Sequence, residues 1–116
     1  MNSNRIFNSA DFFQPCDSDP VRSVVTQSPE AVVVAWYLKP GQRIAPHVHP
    51  QGQDTWTILA GQGEYILDAA GASCSIAAGD VIVAFTGSVH GVHNNGDQPL
   101  MFISVVSPAE AGYQLV

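Results

Sequence analysis

The stretch GQRIAPHVHPQGQDTWTILAG, residues 41–61, decides how the rest of the chain is read. It sets two of the chain's four histidines, His47 and His49, one residue apart, places the carboxylate of Asp54 five residues further on, and has a glycine at each end. Successive side chains of a β-strand alternate faces, so on a strand the two imidazoles point to the same side. Two imidazoles so placed can close on one metal ion. The same parity, followed along the strand that begins at Asp54, puts Trp56 and Ile58 on the side of the carboxylate. Arg43 shares parity with His47 and is a candidate to meet a substrate carboxylate, provided that no bulge intervenes at Pro46.

Outward from this stretch, short apolar runs rich in β-branched residues recur between glycine and proline punctuation. They predict strands at 21–26, 31–38, 44–49, 54–60, 64–68, 72–76, 81–85, 89–94 and 100–106. The breakers between them, among them Pro40-Gly41, Ala70-Gly71, Gly79-Asp80 and Asn95-Gly96-Asp97, have the chemistry of hairpins and loops. No stretch carries a helical period. Short strands with regular turns predict an all-β sandwich or barrel, of which the jelly roll is one form. Residues 1–20 carry a weaker pattern and are expected to form an arm on the barrel or on a partner subunit, leaving 21–116 as one β-barrel domain.

Composition narrows the function. At 116 residues the chain has room for one core and not two. Charged residues make up only 12% of it, against roughly 25% in an ordinary soluble domain, while 46% is hydrophobic. So little polar surface favours self-association, and a homodimer is expected. The net charge of −6 reflects just four scattered cations, Arg5, Arg22, Lys39 and Arg43, which argues against nucleic acid or an anionic membrane as partner. No apolar run reaches the roughly 18 residues of a membrane span, and the opening residues lack the apolar core of a secretory signal, so the expected compartment is the cytoplasm. Cys16 and Cys74 stand far apart, in no metal or redox spacing, and are expected to be reduced structural thiols of the buried kind.

A third histidine completes the pattern in GDVIVAFTGSVHGVHNN, residues 79–95. Together the two segments resemble the paired motifs of the cupin superfamily, small double-stranded β-helix (jelly-roll) barrels that commonly hold one metal. Gly41, His47, His49 and Gly61 match the first motif, with Asp54 where the family has glutamate. Gly79, Gly87, His90 and Asn94 match the second, with Phe85 in the proline position. The resemblance implies a metal site built from His47, His49, His90 and Asp54. Asp54 is one methylene shorter than glutamate, and its direct coordination, action through water and absence from a three-histidine site all stay open.

Three imidazoles and a carboxylate suit one divalent transition ion, Fe, Zn, Ni, Mn or Cu, with positions left for other ligands. His93 has the opposite parity from His90 and should face away. Asn94 shares parity with His90 and is either a hydrogen-bond donor to substrate or the residue that ends the strand. Trp56 is a candidate wall for a flat small-molecule substrate. Two function classes follow: a metal-dependent small-molecule enzyme of dioxygenase or isomerase type, on the strength of the resemblance, or a barrel that binds a metal or small ligand as a sensor or carrier without turnover.

Overall fold

The computed structural model describes residues 4–116. Among them ten strands form: β1 (Ser23–Gln27), β2 (Val32–Leu38), β3 (Arg43–Val48), β4 (Gln53–Ala60), β5 (Gln62–Ile66), β6 (Ser73–Ala77), β7 (Val81–Ala84), β8 (His90–His93), β9 (Leu100–Ser107) and β10 (Gln114–Leu115). The first nine are the strands that the periodicity predicts, with ends moved by at most two residues. β10 is new, a two-residue strand too short to leave a pattern. It pairs with β3, Gln114 opposite Val48 and Leu115 opposite His47.

Two five-stranded antiparallel sheets, in the orders β1-β2-β9-β4-β7 and β10-β3-β8-β5-β6, make the all-β double-stranded β-helix. Strand parity turns Leu38, Trp56, Ile58, Leu100 and Phe102 of the first sheet and Tyr65, Ile76 and Val92 of the second into one buried cluster. Its centre is aromatic: the rings of Trp56 and Phe102 stack at a centroid distance of 4.3 Å, and Tyr65 meets Trp56 edge-on at 5.3 Å. Such offset and T-shaped contacts add to the stabilisation from area burial.

Each inward-facing row changes character along its strand. On β9, Leu100 and Phe102 belong to the core whereas Ser104 lies further along the same face. On β8, Val92 is core and His90 is the next inward position. On β4, Ile58 and Trp56 are core and Asp54 follows. One end of the barrel is therefore packed shut and the other carries polar groups over an aromatic floor.

Several side chains tie residues 4–20 to the barrel. The Gln42 amide donates to the carbonyls of Cys16 and Ser18, Gln14 donates to Ser23 Oγ, and Lys39 pairs with Asp17. Within this segment Asn8 caps a single 3-10 turn at Ser9–Asp11. Both cysteines are free, but neither is buried as expected: Cys16 is half-buried and Cys74 lies exposed on β6, at the edge of its sheet. Among the described residues no helix is long and apolar enough to cross a membrane.

Candidate metal centre

Three elements and one loop bring four donors to the open end of the barrel. His47 comes from β3, His49 from the turn that follows it, Asp54 from β4 and His90 from β8. One ligand atom from each lies within 4.8 Å of every other. His90 Nε2 is 3.0 Å from Asp54 Oδ2, and His49 Nε2 is 3.5 Å from the same oxygen. A four-coordinate ion with bonds of about 2.1 Å keeps its donors about 3.4 Å apart, so these separations fit a metal set.

The outward nitrogens explain why the rings hold this pose. In all three histidines Nδ1 faces a backbone carbonyl: His47 to Ala45 at 2.8 Å, His49 to Gly112 at 2.6 Å and His90 to Ser88 at 3.1 Å. A carbonyl only accepts, so Nδ1 carries the proton and donates, and Nε2 of each neutral ring is left with its lone pair toward the centre. Such outer partners orient the ligands of a metal site. Asp54 is fixed in the same manner. Ser104 Oγ donates to Oδ1 at 2.6 Å, which turns Oδ2 toward the histidines. Lone pairs of Oδ2 and of His90 Nε2 then face each other at 3.0 Å, an arrangement that a shared cation satisfies.

Electrostatics agree with this reading. Burial, together with its histidine neighbours, lowers His47 to about 4, so it is the neutral imidazole that a metal requires near pH 7. For Asp54, burial acts to raise the pKa, but the protons that His49 and His90 place on their Nε2 atoms when no metal is there, together with the Ser104 hydrogen bond, outweigh it and hold the carboxyl well below its usual range. His49 is raised by its hydrogen bond to Asp54, against the opposing effects of burial and of the Arg22 charge.

Over the donors opens a cavity of about 550 Å³, within the size range of small-molecule sites. Val34, Trp36, Trp56 and Val106 supply apolar walls, and Tyr113 and Arg22 also line it. Trp56 is where parity puts it. Arg43 is not. Ile44 pairs with Val92 and His47 with His90, so Ala45 and Pro46 together oppose the single residue Gly91. This extra residue is a bulge and reverses parity: Ile44 joins the cavity, and Arg43 is exposed opposite His93 on the outer face. His93 stands outside the group of four.

Asn94 also departs from a substrate-binding role. Its amide donates to the carbonyls of Leu38 and Gln98, its Oδ1 accepts from Gly96 N–H, and it is not among the cavity-lining residues. It is the strand-ending residue, fully buried and with its amide nitrogen and oxygen both bonded to the backbone.

Sequence reading missed Ser104, Arg22, Tyr113 and the carbonyl of Gly112. Ser104 had one available signal: on β9 its parity is that of Leu100 and Phe102, so it is a polar residue on an inward face. Gly112 has φ of 79°, a backbone conformation that strains other residues. The glycine turns the chain here so that its carbonyl meets His49 and Tyr113 stands with its ring 4.9 Å from that of His47.

Fold and donor set together define a small β-barrel with a group of four side chains that could hold a metal beneath an apolar cavity. Residues 34–106 match the Cupin domain family, and the chain belongs to it. A germin-like protein of Oryza sativa subsp. japonica is 32% identical over 84 residues, 68% of this chain; the match spans only 36% of that curated relative's length. A conserved protein with a double-stranded β-helix domain from Klebsiella pneumoniae superposes with a TM-score of 0.94 at 45% identity, covering 98% of both chains. A predicted oxalate decarboxylase from Thermotoga maritima has a TM-score of 0.74 at 21% identity, covering 89% of this chain and 98% of its own, a likeness of fold.

Proposed function

We propose that this cupin is a metal-dependent enzyme acting on a small organic molecule, by oxygenation or isomerisation. The observation that carries the reading is the convergence of three histidine Nε2 atoms and Asp54 Oδ2 at the base of an open, largely apolar cavity. His47, His49, His90 and Asp54 would hold one divalent ion. When bound, that ion supplies Lewis acidity and, if it is redox-active, electrons. The chain's own residues do the remainder. Ser104 keeps the carboxylate aimed, Trp36, Trp56, Val34 and Val106 exclude water, and Tyr113 stands at the C-terminal side of the histidines.

A non-catalytic metal- or ligand-binding barrel is the second reading, and one observation favours it. Among the cavity-lining residues the only acid is Asp54 and the only hydroxyl beside Tyr113 is Ser104, and these two are bonded to each other, so no separate nucleophile and base are in place. The two readings separate on turnover. Protein purified without chelator or nickel resin is loaded in turn with Fe(II), Zn(II), Ni(II), Mn(II) and Cu(II). Metal content is then measured, along with oxygen uptake and isomerisation across small phenols, diketones and thiols. One ion per chain with turnover is expected; one ion per chain with no turnover in any pairing gives the binding reading, and no uptake of any ion refutes the metal-dependent enzyme and the metal-binding barrel alike.

A further inference from the structure

One cation of the cavity is engaged by no other described residue. It is the Arg22 guanidinium, exposed just before β1 and lining the cavity. Among the described residues no carboxylate is in ion-pair range of it, although acids outnumber Lys and Arg ten to four in this chain. Beside it run the apolar surfaces of Val34, Trp36, Trp56 and Val106 and the ring of Tyr113.

We infer that the ligand of this cavity is a small organic carboxylate with a flat apolar body. Its carboxylate meets the Arg22 fork and its body lies against the aromatic walls. A planar guanidinium matches a carboxylate with two parallel bonds, which a lone ammonium cannot do. The net charge of the whole chain would repel such an anion, so a local cation is needed to admit it. The inference rests on the cavity being the substrate site proposed above, and it does not depend on which ion the four donors take.

The chain's only two tryptophans, Trp36 and Trp56, both line the cavity, so intrinsic emission reports a ligand seated there. Phenylacetate and its neutral isostere phenylacetamide are titrated by calorimetry and by tryptophan emission into wild type and Arg22→Gln, each metal-free and zinc-loaded. Zinc uptake is measured in parallel on both proteins. We expect wild type to prefer phenylacetate over phenylacetamide by about tenfold or more in both metal states, and Arg22→Gln to reduce that preference to about twofold or less with zinc uptake unchanged.

A preference that survives Arg22→Gln, one that appears only with zinc, carboxylate binding without an emission change, or no saturable binding of any probe overturns the inference. Failure of the metal reading looks different: wild type would take up no zinc while the Arg22-dependent preference remained.

Discussion

Replacing Gly91 by alanine tests whether the fold and the donor set are one construction. Gly91 sits between His90 and Val92 on β8, beneath the β3 bulge. A methyl group there would come 2.7 Å from Ile44 O and 3.1 Å from both Pro46 Cα and Pro46 N. All three are backbone atoms, so no rotamer change relieves the contact. The strands must part by several tenths of an ångström to regain an ordinary separation of about 3.5 Å. Overpacking of this kind costs about 1–3 kcal/mol. Reduced backbone entropy of the unfolded chain returns about 0.4–1 kcal/mol, leaving a net loss of about 1–2 kcal/mol.

Unfolding entropy of about 2.1 cal/mol/K per residue over 116 residues converts that loss to a fall in Tm of about 4–8 °C. The bulge also fixes His47 opposite His90, their ring centroids 4.1 Å apart, so zinc affinity should fall by about 10–100-fold, the usual effect of disturbing a ligand's support. Thermal melts in chelator give the first quantity, and competition with a chromophoric chelator gives the second. Gly41→Ala is the control: its φ of 88° makes alanine strained, but nothing lies within 4 Å, so it should melt earlier and bind zinc as wild type does. A Gly91→Ala protein with wild-type Tm and wild-type zinc affinity would refute the close approach of β3 to β8 and the dependence of the site upon it.

Removing any one donor, by His47→Ala, His49→Ala, His90→Ala or Asp54→Ala, should abolish stoichiometric zinc or weaken it by more than about 100-fold, beyond the effect of losing an outer partner. His93→Ala should leave zinc binding intact; metal analysis of the five folded variants checks this, and equal loss in His93→Ala would contradict the geometry. The edge strand β7 exposes Val81 and Val83, with Phe85 just beyond it, and an apolar edge of this kind is expected to be covered in a homodimer. Light scattering that returns a concentration-independent mass near the 12.3 kDa of one chain would refute the dimer.

What the sequence makes legible here is what short-range rules control. Turn glycines mark the motif: Gly41, Gly61, Gly79 and Gly87 all take φ between 77° and 97°, which few other residues adopt. Alternation along single strands places His47, His90, Trp56 and the outward His93. The missed groups arrive through long-range pairing. Ser104 reaches Asp54 across 50 residues of sequence, and the Gly112 carbonyl reaches His49 across 63. Neither separation leaves a periodic trace, and β10, which carries the chain past the histidines, is two residues long.

The misplacement of Arg43 has a sharper cause, because one extra residue reverses every side chain beyond it. Pro46 alone does not reveal the bulge. Only the pairing of Ile44 with Val92 and of His47 with His90 shows that two residues of β3 oppose one of β8. With parity reversed, β3 offers the cavity Ile44 in place of a cation. Of the three other cations, Lys39 is paired with Asp17, and Arg5 lies with Val33 and Ile103 in a separate hollow. The bulge that turns Arg43 outward therefore leaves Arg22, at the start of the opposite sheet, as the one Lys or Arg among the cavity-lining residues, which is why the proposed anionic ligand is assigned to it.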